Sequence, residues 1–321
     1  MKHYHVEREL AHALYGKILL CRDDARRVVV KRVDLSAASD RRSVEDGRPL
    51  AEDAATEKRV QGLVHHAHLV ALYDTFELDG FDHLVMEYCP NGELYEELQR
   101  QPQQRVHPTR AHSCFVQIAS AVAYLHDRGY AHCDIALENV FLDAHFKCKL
   151  GDFGLVAPVG KTKCRPVGRR MYMAPEMHGT AGYEPSKADV WALGILLFIL
   201  LTGFPLVLKA DDSDSVFRFF KAKGLVGVIN GWKVQELFSK DLVDLLSKML
   251  SVDPRHRPLM KQVMKHPFVR RGLKAAGEAP EGLQLGKLFR VLWAPLAVLD
   301  VRRSECAPQR GKRRPPRSSI Y

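Results

Sequence analysis

Over its first 88 residues the chain alternates apolar and polar positions in short runs, and beyond them the spacing becomes helical. The runs around Ile18-Leu19-Leu20 and Val28-Val29-Val30 predict two strands joined by a turn at Arg22-Asp23-Asp24. Residues 34–50 are polar, contain Gly47 and Pro49, and predict a loop. Ala51–Val64 has helical spacing with acids near its start, where they oppose the positive end of a helix dipole. Leu84-Val85-Met86 predicts another strand, broken by Cys89-Pro90-Asn91-Gly92. Helices follow over Thr109–Arg128, Lys187–Thr202, Lys240–Leu250 and Leu259–Lys265. The pattern decays after about Arg270, apart from a candidate short helix over Leu288–Val301, and no internal repeat is visible.

Chemistry is concentrated in four places. Lys31 ends an apolar strand, Val28-Val29-Val30-Lys31. His132-Cys133-Asp134 is followed by Asn139, then by Asp152-Phe153-Gly154, then by Ala174-Pro175-Glu176. In this order the chain resembles the eukaryotic protein kinase family from about Tyr4 to about Val269. The resemblance implies an α+β, bilobal protein kinase fold. Its N-lobe, about 1–88, is a small antiparallel β-sheet with helix C, and its C-lobe, about 89–270, is mainly α-helical. A basic, largely disordered tail over 271–321 completes the chain.

The resemblance also implies roles. ATP and Mg2+ are the expected cofactors, with Lys31 on the α- and β-phosphates and Glu57 as its ion-pair partner. Asp134 receives the proton of the acceptor hydroxyl, while Asn139 and Asp152 supply oxygen ligands to the metal. Adenine meets backbone groups of Glu87 and Cys89 between apolar Ile18, Val29 and Phe141, and Glu93 lies where relatives bind the ribose. Ala11, Ala13 and Gly16 stand where the family carries its three phosphate-loop glycines, so only the last glycine is kept. Asp189 is expected to accept backbone N–H bonds from the catalytic loop, and Glu176 to pair with Arg257.

Several positions depart from the family pattern. Val29 replaces a common alanine and crowds the base. Cys133 replaces the arginine that binds a phosphorylated activation loop, and is expected to be a small buried hydrophobe. Ala136 replaces a lysine beside the migrating phosphoryl group, and Arg169 replaces a threonine that neighbours that lysine. Three readings of Arg169 follow: it supplies the missing cation, it silences Asp134, or it is solvated. Glu138-Asn139 follows the Ser/Thr style, with no Ala-Ala-Arg run, so the expected acceptor is a protein Ser or Thr hydroxyl. The alternative is a pseudokinase that binds nucleotide or acts as a docking module. Leu196–Gly203 with Phe217-Arg218-Phe219-Phe220 is most similar to calcium/calmodulin-dependent-type kinases.

Composition changes this picture little. The 321 residues are 46% hydrophobic and 27% charged, ordinary for a globular protein. Seven cysteines with no Cys-x-x-Cys pair argue against a disulfide framework or a zinc site. The start offers no apolar signal stretch, which points to the cytoplasm. Ala192–Leu208 is apolar enough for a hydropathy scan to flag, but is expected to be a buried helix ending at Gly203 rather than a membrane span. The formal net charge of +10 is uneven: residues 302–321 hold seven Lys or Arg and one acid. That tail is a candidate nuclear-import signal more than a nucleic-acid binder. Lys287–Trp293 is a weak candidate for a calmodulin-like partner, interrupted by Pro295.

Overall fold

The computed structural model describes residues 3–13, 15–36 and 54–271. The chain divides into a unit of residues 1–279 and one of 280–321, and every described residue belongs to the first. The expected tail, its candidate helix and the Lys287–Trp293 segment lie outside the described residues, as does most of the predicted loop over 34–50.

Five strands open the chain: β1 (His5–Ala13), β2 (Gly16–Arg22), β3 (Arg27–Asp34), β4 (Leu72–Leu78) and β5 (Phe81–Glu87). They form one antiparallel sheet in the order β1-β2-β3-β5-β4. Because side chains alternate along a strand, β3 has two distinct faces. Val28 and Val30 are buried with Tyr4, Leu19, Cys21, Phe76 and Val85 in a core on one face. Val29 and Lys31 point to the other. Register places Lys31 opposite Ile18 on β2 and Leu84 on β5, and Val29 opposite Leu20 and Met86. The predicted turn forms as Asp23 Oδ1 accepts the amides of Ala25 and Arg26, each at 2.8 Å.

Helix α1 (Ala54–Leu63) follows. Glu57, Val60 and Gln61, with Val64 just beyond its end, are buried at positions three and four apart, which makes one inward stripe. The rest is mainly helical. Helices α2 (Leu94–Arg100), α3 (Pro108–Asp127) and α4 (Pro185–Thr202) lead into α5 (Ser215–Gly231), α6 (Lys240–Met249), α7 (Met260–Val263) and α8 (Pro267–Arg271). Between α3 and α4 run short strands β6 (Tyr130–Ala131), β7 (Val140–Leu142), β8 (Cys148–Leu150) and β9 (Ala157–Pro158), paired β6 with β9 and β7 with β8.

Helix α4 is the apolar run that composition alone could have sent into a bilayer. Among the described residues it is the one helix long and apolar enough to cross a membrane, and it is 94% buried inside the protein. It ends where a left-handed residue is needed: Gly203 has φ 82, and a Cβ there would lie 2.7 Å from the Gln104 carbonyl. The sequence pattern did not predict α5. Gly224 breaks its periodicity with φ 67 and ψ −177, so that two helical pieces meet at a kink.

The large helical part is cross-braced by an ion pair. Arg257, whose side chain is fully buried, meets Glu176 with both guanidinium ends at 2.7 Å, and also donates to the carbonyls of Ser251, Lys187 and Val252. This is the pairing that the sequence implied. Arg257→Met should destabilise the fold by about 3–5 kcal/mol, because it strands the Glu176 carboxylate and three carbonyls. Urea unfolding followed by circular dichroism measures it.

Candidate active site

The cleft beside the five-stranded sheet begins with Lys31. Its Nζ lies 2.8 Å from Glu57 Oε1 and 2.7 Å from Oε2, so helix α1 holds the lysine from below. Glu57 is buried, and burial pushes its carboxyl up while Lys31 pulls it back. A pair this dry is rigid: neither partner can swing to water without losing a charge-assisted bond.

Ala11, Ala13, Gly16 and Ile18 sit on the β1–β2 hairpin. Ala11 pairs with Ile18 and Ala13 with Gly16, which places the loss of two glycines on paired strand backbone just after a register shift between Glu9 and Ala11. Gly16 is required for a different reason: a Cβ there would come 1.8 Å from the Arg32 carbonyl, an overlap that would force β2 from β3. Val29 is half-buried on the cleft-facing row. At the end of β5, the Glu87 carboxylate is taken by Lys149 (2.8 Å) and the Ala71 amide (3.2 Å), a clamp that sequence reasoning missed. The Glu87 amide donates to the Ala71 carbonyl and the Cys89 carbonyl accepts from Gly92. The main-chain groups that these bonds do not use are the Glu87 carbonyl and the Cys89 amide. Cys89 itself is buried, and burial lifts its thiol to about 12. Glu93 caps α2 and bridges through its backbone to Phe141, whose ring lies where a Cβ on Gly151 would touch it at 3.1 Å.

Across the cleft a single carboxylate organises the loop. Asp189 of α4 is 1% exposed and accepts the amides of His132 (2.7 Å) and Cys133 (2.8 Å), as expected, and also takes His126 Nε2 of α3 at 2.9 Å. These bonds hold Cys133 at φ 66, which turns the chain toward Asp134. The Cys133 thiol is buried and pushed far up by desolvation, in keeping with a small apolar role. His132 donates from Nε2 to the Gly151 carbonyl (3.0 Å), accepts the Asp134 amide at Nδ1 (3.3 Å), and packs on Phe153 with ring centroids 5.5 Å apart.

Asp134, Asn139 and Asp152 are thereby brought together. Asn139 Nδ2 donates to both the Asp134 carbonyl (2.8 Å) and Oδ2 (2.7 Å). Both amide hydrogens are thus used, which leaves the Asn139 side-chain oxygen as its acceptor. Asp152 is exposed to the cleft, held at φ 62 at the end of β8 while Phe153 is fully buried behind it. An amide oxygen and an exposed carboxylate are the hard donors that Mg2+ takes while keeping several waters, so these two residues fit that ion. Burial raises the Asp134 carboxyl, Arg169 lowers it and Asp152 raises it further.

Arg169 reaches this centre from the far side. Its Nη1 lies 3.7 Å from Glu138 Oε1, and Glu138 Oε2 and Arg169 Nε are both buried without a hydrogen-bond partner. Gly168, at φ 86, lies so close that a Cβ would meet Asp134 Oδ1 at 3.0 Å. Ala136 is completely buried nearby. The tie to Glu138 was not foreseen, although Glu138 is only two residues from Ala136 in sequence.

A buried lysine–glutamate pair on one wall and an Asp-Asn-Asp cluster on the other make up the set of groups that phosphoryl transfer requires. The protein kinase domain family matches residues 4–269, and the chain belongs to that family. It is similar to CBL-interacting serine/threonine-protein kinase 13 of Arabidopsis thaliana, 31% identical over 85% of this chain and 52% of that protein. It is also similar to maternal embryonic leucine zipper kinase of Danio rerio, 31% identical over 93% of this chain and 42% of the relative. The Xenopus laevis form is 34% identical over 77% of this chain and 37% of the relative. The chain therefore spans about half or less of the length of these relatives.

Asp189→Asn turns one acceptor oxygen into a donor facing an amide. It should lower stability by about 2–3 kcal/mol and speed hydrogen exchange at His132 and Cys133, with exchange in the β1–β2 hairpin unchanged. Amide exchange by mass spectrometry measures both regions at once.

Proposed function

We propose that this chain is a Ser/Thr protein kinase that transfers the γ-phosphoryl group of ATP to a protein hydroxyl in the presence of Mg2+. The observation that carries the reading is the formed Lys31–Glu57 pair in the same cleft as Asp134, Asn139 and Asp152. A docking module has no need of a buried ion pair aimed at phosphate, and burying one costs desolvation energy. The names of the similar kinases support Ser/Thr acceptors. Cytoplasmic placement, with the basic residues 302–321 as a nuclear-import signal, belongs to the same proposal.

When bound, the nucleotide and its metal supply the transferable group and neutralise charge on its oxygens. The chain supplies the rest. Lys31, fixed by Glu57, positions phosphate oxygens, while Asn139 and Asp152 offer the metal its protein oxygens. Asp134, oriented by the two Asn139 hydrogens, accepts the acceptor's O–H proton as its oxygen bonds to phosphorus and the bridging oxygen leaves with ADP. Arg169 takes the place of the cation missing at Ala136: it is near enough to Asp134 to be the strongest influence lowering its carboxyl, and Glu138 anchors its far end.

Asp134→Asn should abolish transfer of labelled phosphate to generic protein acceptors, while ATP–Mg2+ still raises the melting temperature. Label transfer that survives this change would overturn the reading. Arg169→Ala should lower kcat about 100-fold, the usual result of removing one preorganised donor. The pH profile separates its roles. The base form of Asp134 is needed, and its carboxyl is raised, so activity is lost as pH falls through a value above the ordinary aspartate range. Arg169 opposes that rise, so Arg169→Ala should move the acid limb of kcat/KM to still higher pH.

A further inference from the structure

The segment between Asp152 and Glu176 contains Lys161, Lys163, Arg165, Arg169 and Arg170 and no acid. It borders the cleft beside Asp134, where Val167, Gly168, Arg169 and Met173 form one wall. Lys161 and Arg170 are exposed, and Arg165 is half-buried with its carbonyl held by the Tyr183 hydroxyl at 3.1 Å. Lys163 is pinned: its backbone pairs with Tyr183 and its Nζ donates to the Leu155 carbonyl at 3.1 Å. The segment is thus a shaped basic surface rather than a loose run of lysines.

Glu138 offsets part of this charge at Arg169, and exposed Glu184, beside Tyr183, accepts the Ser186 hydroxyl; the other acids nearby are engaged elsewhere. Glu176 is locked to Arg257, Asp211 contacts Lys209, and Asp189 is spent on main chain and His126. Further along the same side, Arg170 and Lys209 both act on His178, whose imidazole burial already holds below the usual range. A segment arriving at Asp134 therefore crosses a positive field on the side of the activation segment, where Lys161 and Arg170 are exposed.

Given the kinase reading above, we propose that the acceptor segment of the substrate is anionic, its carboxylate or phosphate groups received by Lys161 and Arg170. Arg169 is excluded from this role because it faces Glu138 and Asp134. Carboxylates and phosphates present the same chemistry to arginine, a planar pair of oxygens for a forked donor, and phosphate brings more charge.

The test uses the full chain and fluorescein-labelled peptides with one central acceptor serine, flanked by glutamates, by phosphoserines or by lysines. Anisotropy reads binding, and phosphate incorporation reads kcat/KM. Either anionic peptide should bind about ten-fold or more tightly than the lysine peptide at low salt, with the gap closing as salt rises. Arg170→Glu combined with Lys161→Glu, both at exposed positions, should erase the preference and leave the melting temperature unchanged. Preference for the phosphoserine peptide alone identifies a primed substrate, and preference for both identifies an acidic one; each upholds the proposal. Equal or tighter binding of the lysine peptide overturns it. The two readings fail separately. Discrimination without phosphate transfer removes the kinase reading alone, and transfer without discrimination removes the anionic acceptor alone.

Discussion

The Asp189 carboxylate is the fixed point of the molecule. It lies inside the most buried helix and receives two amides of the catalytic loop and a histidine of α3. A charge at 1% exposure survives only when every oxygen is satisfied, so the loop is held by the penalty of leaving that carboxylate unpaired. The candidate site residues next to this loop are placed by the same anchor. Cys133 takes its left-handed turn, Asp134 emerges toward the cleft, and His132 reaches across to the Gly151 carbonyl that precedes Asp152. The small lobe has its own anchor in Lys31 and Glu57. The two are joined where the Val70 amide donates to the Leu150 carbonyl and the Leu150 amide to the His68 carbonyl, just before Gly151 and Asp152.

Most of the site could be read in the sequence because backbone order dictates it. Lys31 falls on the cleft face of β3 because a strand alternates, and Glu57 falls on the inward stripe of α1 because a helix repeats near three and four residues. Asp134, Asn139 and Asp152 are carried by short loops whose lengths are set by the strand pair β7 and β8. Contacts that depend on side-chain reach were less legible. Lys149 could have pointed to solvent, yet it clamps Glu87 from a strand 62 residues away. Arg169 was expected near Asp134 and Ala136, and it is there, but its tie to Glu138 depends on a long side chain choosing among several neighbours. Helix α5 was missed because Gly224, Gly227 and Gly231 blur its period, and helix α2 because seven residues are too few to show one.

The departures from the family pattern share a logic. Cys133 removes a cation from the loop that holds the acid, and Ala136 removes another beside the transferred group. The segment from Lys161 to Arg170 carries five Lys or Arg, and one of them, Arg169, stands where the family pattern has threonine. At that position positive charge is gained on the segment that faces the catalytic loop. An arginine on the loop gathers an activation segment only once that segment carries phosphate. Here the segment is tied down by the Lys163–Tyr183 bridge and by the Arg257–Glu176 pair.

Cys89 carries a practical corollary for chemical probes. It lies just past the end of β5, where the two lobes join, and its side chain is buried. Burial lifts its thiol to about 12, which keeps it protonated at neutral pH, and the thiolate is the species that attacks an acrylamide. A covalent warhead at this point would react at the pace of that rare anion, so selectivity against this protein is better sought through reversible contacts at Val29 and the Glu87–Lys149 clamp.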